Sequence, residues 1–318
     1  MTAASAPGKV ILFGEHAVVS GATALGGAID LRAKVTLQDL PGRILIDANN
    51  LTLRGFSFDL ITGQVISAEA AHATRYVSAV LKEYEAKDLR VKVESNLPPA
   101  AGLGSSAAIV VATIAALNQH FGLGLSRKEI ASEAHRMEKA VQQGLGSPMD
   151  TALATFGGYL QISRRVQPLD LPSLEIIVGY TERAHDTRSE VEKVQSLLAR
   201  YPDLVGPIFQ AIGAISTRAV SLIQEQRLEE LGEMMNINNG LLEAVGVGTR
   251  ELSELVYAAR GAGSAYGAKL TGAGGGGCMI ALPPTGGSAA LITALRQAKG
   301  TAFSVKTGSE GVRLERDL

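Results

Sequence analysis

Short unbroken apolar runs alternate along this chain with longer stretches in which apolar residues recur every three or four positions. "KVILF" at 9–13, bounded by Gly8 and Gly14, predicts a buried strand. Strand-like pieces follow at 33–40 ("AKVTLQDL"), 43–48 ("RILIDA") and 90–97 ("RVKVESNL"). In the last, Val91 and Val93 alternate with Lys92 and Glu94, so one face is buried. A helix is expected near 68–86. Another is expected from Ser105 to Phe121, apolar on nearly every side and therefore central, and closed by Gly122. "SRKE" at 126–129 reads as a capping box, opening a helix with Ile130, Ala134, Met137 and Val141 at helical spacing. "GLGSPMD" at 144–150 breaks it, and a short helix through "TALATF" follows. "QPLDLPS" at 167–173 reads as a linker. Beyond it come a strand in "EIIVGYT", helices near 188–200, 203–224, 227–245 and 249–262, and a strand–glycine turn–strand in "AKLTGAGGGGCMIAL". A helix near 287–298 and a strand at 302–307 close the pattern. Segregated strands and helices in two halves predict an α+β fold.

Composition narrows the function more than the fold. The 318 residues are 46% hydrophobic and 19% charged, as in a compact globule. A net charge of −1 supplies no basic field to hold nucleic acid or an anionic membrane, so an anionic substrate would need local positive groups. The one cysteine, Cys278, cannot pair within the chain, which fits a reducing, cytoplasmic compartment. The longest apolar run, 107–117, falls short of the ~20 residues that span a bilayer. His72, His120, His135 and His185 show no metal-ligand spacing.

Two glycine loops carry the candidate chemistry. "GLGSSA" at 102–107 and "GAGGGG" at 272–277 both fit the loose dinucleotide fingerprint. The second opens a strand rather than a helix. The first is separated from its strand by Pro98 and Pro99 and lacks a ribose-binding acid about 20 residues on. A dehydrogenase is therefore excluded, and no lysine completes a Walker A loop. Even so, Gly102 and Gly104 let backbone approach closely, and a helix N-terminus offers unpaired N–H groups to phosphate. A tight turn capping a core helix is the alternative.

Three segments, taken together, decide more than either loop. "APGKVILFGEHAVVSG" at 6–21, "GLGSSAA" at 102–108 and "KLTGAGGGGC" at 269–278 stand in the order of the three motifs of the GHMP kinases, which the chain resembles along nearly its whole length. "GEHAVV" after "APGK", with "SPMDTALATFGG" and "NNGLLEAVGV", is similar to the mevalonate kinase branch. The resemblance implies a two-domain fold. Residues 1–170 would form a domain like ribosomal protein S5 domain 2, carrying the phosphate loop. Residues 171–318 would form a ferredoxin-like domain. ATP and substrate would meet between the two, and the reaction would be phosphorylation of the 5-hydroxyl of mevalonate.

The resemblance also assigns residues. ATP would lie against Pro99, Ala100, Ala101, Gly102, Leu103, Gly104, Ser105, Ser106 and Ala107, with backbone amides cradling its phosphates. Ser106 and Glu138 would ligate Mg²⁺. Asp150 would be the catalytic aspartate facing the hydroxyl, with Lys9 beside it and the γ-phosphate. Glu15, His16 and Thr187 would lie on the substrate side. Each has a plainer alternative: Ser106 a helix cap, Glu138 a surface acid paired with Lys139 or Arg136, Asp150 the N-cap of its helix, Lys9 an edge lysine. The segment from Glu138 to Asp150 is one residue longer than in relatives, and "QQG" at 142–144 can absorb it. A different GHMP small-molecule kinase, or a silent binding protein of that fold, are the rival readings. Retention of Lys9, Ser106, Glu138 and Asp150 together argues against silence. The implied partner is a small molecule, with no nucleic acid and no membrane, and a homodimer is left open.

Overall fold

A computed structural model describes residues 1–48, 56–59, 71–98, 101–142, 144, 146–163, 165–181, 186–262 and 264–315. Pro99 and Ala100, at the start of the expected phosphate loop, and the first residues of the helix expected near 68 lie outside them.

The first sheet is built on two long strands. β1 (Thr2–Phe13) runs antiparallel to β2 (Ala24–Asp39), and a bulge at Gly8 shifts the register between Pro7 and Lys9. The far edge of β2 is shared. Residues 33–39 pair with β5 (Leu89–Ser95), and 24–27 pair with β6 (Tyr159–Ile162). β3 (Ile44–Ala48) joins β5 in parallel and carries β4 (Phe56–Asp59), while β7 (Val166–Leu169) extends β6. The last strand, β12 (Arg313–Leu314), returns to the free edge of β1 at Ala4 and Ser5.

α1 (Ala71–Glu83), α2 (Ser105–Phe121), α3 (Arg127–Val141) and α4 (Pro148–Phe156) cover one face of this sheet. α2 lies innermost, with every residue from Ala107 to Leu117 buried, as its unrelieved apolar run requires. Gly122, at φ 63°, ends it. At α3, Ser126 Oγ accepts from Glu129 N–H and Glu129 returns the bond to Ser126 N–H, the expected capping box.

The second sheet follows sequence order 4-1-3-2. β11 (Thr301–Lys306), β8 (Glu175–Tyr180), β10 (Cys278–Leu282) and β9 (Gly267–Leu270) are all antiparallel. With α9 (Ser288–Gln297) before β11 and a helical stretch between β8 and β9, this is the ferredoxin-like arrangement. That stretch comprises α5 (Thr187–Arg200), α6 (Pro202–Gln224), α7 (Leu228–Ala244) and α8 (Arg250–Arg260). The sheets share part of their core, although the second sheet also buries Ile177, Met279 and Ala281 in a cluster of its own with α5–α9. One apolar cluster runs from Val35 and Val110 to Val178, Ala219 and Ile280. Among the described residues no helix is long and apolar enough to cross a membrane.

The segment read as a linker is half strand. Val166–Leu169 pairs with β6, and Pro168 is tolerated because β7 is an edge strand whose outer side needs no donor. Sheet membership changes between Leu169 and Glu175.

The open edge of β9 is closed by side chains from α7. Asn236 Oδ1 accepts from Ala268 N–H at 3.1 Å, and Asn239 Oδ1 accepts from Leu270 N–H at 3.0 Å. One turn apart on the helix, the two amides serve alternate residues of the strand. Only glycine permits this approach, because a Cβ on Gly232 would lie 2.3 Å from the Tyr266 carbonyl carbon. Gly232→Ala must push α7 off β9 and should destabilise the protein by about 3 kcal/mol, the upper end of overpacking costs. Urea unfolding measures this, and an unchanged midpoint would show that the helix can shift freely.

Candidate functional site

The glycine loop before α2 is seated on β1. Lys9 N–H donates to Leu103 O at 2.9 Å. On either side of that bond glycine is required. A Cβ on Gly8 would lie 2.6 Å from Leu103 O, and one on Gly104 would lie 2.9 Å from Lys9 Cγ. Gly102 and Gly104 both take φ 75°, the left-handed backbone that glycine adopts without strain. Ala101 and Leu103 point inward and are buried. Gly104 is the N-cap of α2, and no side chain caps the first turn, so the amides of Ser105, Ser106 and Ala107 face outward from the helix end. Ser106 is not a cap: its hydroxyl donates to Glu138 Oε1 at 2.8 Å.

Two carboxylates meet beside this turn, each in a different setting. Glu138, on the last turn of α3, is 2% exposed, and Arg136 is engaged elsewhere, with Glu83 and Glu133. Burial, followed by the negative charge of Asp150, pushes the Glu138 carboxyl up to about 7. α3 ends at Val141 and Gly144 takes φ 94°, so the chain leaves the helix only after Glu138. Asp150 does not cap α4. Ser147 does, with Pro148 at N1, so the Asp150 side chain is free to turn to Lys9, whose Nζ lies 3.3 Å from Oδ2. Lys9 is itself 5% exposed. One oxygen of each acid, Glu138 Oε2 and Asp150 Oδ1, is buried with no hydrogen-bond partner among the described residues.

The orphaned Glu138 oxygen, beside the Ser106 hydroxyl, suits a hard divalent cation. Among the described residues no group of three or more His, Cys, Asp or Glu side chains could hold a metal ion. A cation here would therefore rest on one or two carboxylates, a serine hydroxyl and the oxygens of a bound ligand, which is how Mg²⁺ is commonly held.

The end of β1 leads into a second cluster. Glu15 is 1% exposed, and its carboxylate pairs with Lys269 of β9, which has no exposure at all. Asn238 Nδ2 reaches the other Glu15 oxygen at 3.4 Å. Glu15 thus stands among protein groups. His16 follows, 5% exposed, with Nε2 donating to Ala273 O at 2.8 Å and Nδ1 buried without a partner. Burial holds the ring below its ordinary pKa and so neutral, which leaves Nδ1 an acceptor. Ala273 belongs to the second glycine loop. A Cβ on Gly274 or Gly275 would run into Val247 O at 2.3 Å or Glu190 Oε1 at 2.6 Å, so α5 and the turn after α7 crowd this loop. Thr187 is exposed at the first position of α5, one turn before Glu190 on the same face. The motifs give no role to Lys269, Asn238 or Glu190, although Lys269 and Asn238 open two of the segments that carry the resemblance.

The chain matches the family model of the GHMP kinases N terminal domain over residues 71–158 and that of the GHMP kinases C terminal domain over 219–300. It is 44% identical to a mevalonate kinase of Pyrococcus horikoshii, over 98% of this chain and 97% of that one. Against a mevalonate kinase of Methanothermobacter thermautotrophicus it is 40% identical, over 96% and 98%. Its structure resembles that of L. major mevalonate kinase in complex with R-mevalonate, with a TM-score of 0.84, 25% identity and 96% of each chain covered.

A carboxyl whose pKa rises on folding binds its proton more tightly in the folded chain. Its contribution is then lost as pH climbs from the ordinary value of 4.5 toward about 7. In EDTA, the melting temperature of the unaltered protein should fall across that interval. Glu138→Gln should flatten the fall and melt higher than the parent at about pH 8. Calorimetry at a series of pH values measures both, and parallel curves would place Glu138 in water.

Proposed function

Because the chain belongs to the GHMP kinases and, among them, to the mevalonate kinases, we propose that it transfers the γ-phosphoryl group of ATP to the primary 5-hydroxyl of mevalonate, giving 5-phosphomevalonate for isoprenoid synthesis. The observation that carries this reading is the pairing of buried Lys9 with half-buried Asp150 beside the open N-terminus of α2.

Backbone amides from Gly102 to Ala107 hold the phosphates, where the helix N-terminus favours negative charge. Asp150 Oδ1 has no partner among the described residues, so it is the oxygen that accepts the hydrogen bond of the attacking hydroxyl. Oδ2, held by Lys9, fixes its direction. The alcohol oxygen bonds to the γ-phosphorus, the bond to the β-bridging oxygen breaks, ADP departs, and the hydroxyl proton passes to Asp150. Lys9 offsets the charge that gathers on the transferred group. Mg²⁺, held by Ser106 and Glu138, would neutralise phosphate oxygens. His16 Nδ1 meets the hydroxy acid and Thr187 borders it, while Glu15 keeps His16 in place. The chain divides near residue 170. A cytoplasmic enzyme acting on a small molecule, with neither nucleic acid nor membrane as partner and with room for a homodimer, completes the reading.

A substrate panel with ATP and Mg²⁺, its products identified by NMR, tests the acceptor. Mevalonate should be turned over far faster than galactose, homoserine or phosphomevalonate, and equal turnover of any of these would move the chain to another branch of the GHMP kinases.

Asp150→Asn tests the chemistry. Because Ser147 caps α4, the helix should keep its stability. The kcat should fall by at least ~10²-fold, the lower end for loss of a general base, with ATP affinity nearly unchanged. A kcat within a few-fold of the parent's would remove Asp150 from the reaction.

A further inference from the structure

His16 sits in a strained turn. Its φ of 58° and ψ of −45° fall outside the left-handed helical well, and Ala17 N–H donates across it to Glu15 O at 2.6 Å. This is a γ-turn of the rare positive-φ kind, which persists only where the surroundings force it. The residue at its centre is neither glycine nor asparagine, so nothing local favours it. The constraint lies on both flanks. Ala17 is fully buried under the 3-10 turn at 17–20. Glu15 is gripped by Lys269 and Asn238. Lys269 in turn donates to Leu270 O at 2.7 Å and lies 5.9 Å from the centre of the Phe13 ring.

A buried ion pair is a poor device for stability alone, since apolar groups of the same volume often serve as well or better. Its advantage is direction. Here it ties the residue next to His16 to a strand of the other sheet, while the His16 ring is pinned to the glycine turn at Ala273. We infer that Lys269 and Asn238 are positioning residues, which hold the strained turn through Glu15 and thereby aim His16 Nδ1 at the substrate. The inference rests on the mevalonate kinase reading only for the identity of that substrate.

The test is Glu15→Gln combined with Lys269→Met, which removes both charges at nearly constant volume and strands neither. Two readouts are needed. In steady-state kinetics, kcat/KM for mevalonate should fall by ~10²-fold, the scale of an ångström-sized misplacement, while KM for ATP stays within about twofold. In ligand-free protein labelled with ¹⁵N in histidine, the His16 ring signals, assigned by difference from His16→Gln, should report an Nε2–H hydrogen bond in the parent and its loss in the double variant. A role in stability alone would lower the melting temperature without this split between substrates. A folded double variant with the parent's mevalonate KM and the parent's His16 signals overturns the inference. Should the double variant not fold, Asn238→Ala, which keeps the ion pair, carries the same expectations and the same overturning result. If the parent itself ignores mevalonate, the substrate reading has failed, and the ring signals alone decide the positioning role.

Discussion

One backbone hydrogen bond, from Lys9 N–H to Leu103 O, seats the glycine loop before α2 on β1. The same residue sends its ammonium to Asp150, so loop and acid take their positions from a single point on one strand. The arrangement works only at very short range. Gly8 and Gly104 leave no room for a Cβ, and the bulge at Gly8 resets the register of β1 just before Lys9. Rigid strand, tight loop and buried helix together fix the amides of α2, and little in the site is left to flexible side chains.

Around that point the two acids are kept unlike. Asp150 stands in the first turn of α4 with a cation beside it, whereas Glu138 is buried against a serine hydroxyl and a neighbouring negative charge. Paired carboxylates in such unlike environments are suited to different duties, which is the division the proposed reaction uses. The third acid, Glu15, is closed off from both by Lys269.

Much of this was legible before any coordinates, and the reasons are particular. α2 declares itself because eleven residues from Ala107 to Leu117 are apolar or small and Gly122 ends the run, and α3 because Ser126 and Glu129 spell out its cap. What stayed hidden depends on partners far off in the chain. Pro168 and Pro172 disguise an edge strand as a linker, since the sequence does not say which side of a strand will lie open. The plainer reading of Asp150 as a cap falls only when Ser147 is seen to take that place, three residues upstream. Lys269 looks like any surface lysine until β9 is covered by α7, and its counter-ion lies 254 positions away.

The return of the chain to its beginning carries a cost in time. β12 completes the edge of β1 at Ala4 and Ser5. Arg32 strengthens that closure, donating to the carbonyls of Ser5, Glu310 and Gly311 at 2.7–3.0 Å, and Glu315 accepts from Ser5. The first sheet therefore joins residues 310 positions apart, with the entire second sheet lying between them in the chain. On the ribosome, β1 emerges early and must wait with an unpaired edge until residue 314 has left the exit tunnel. Pairings this distant close slowly, and an exposed edge invites the wrong strand in the interval. The glycine loop before α2 rests on that same strand, so the nascent protein holds the pieces of its site long before it can hold them still.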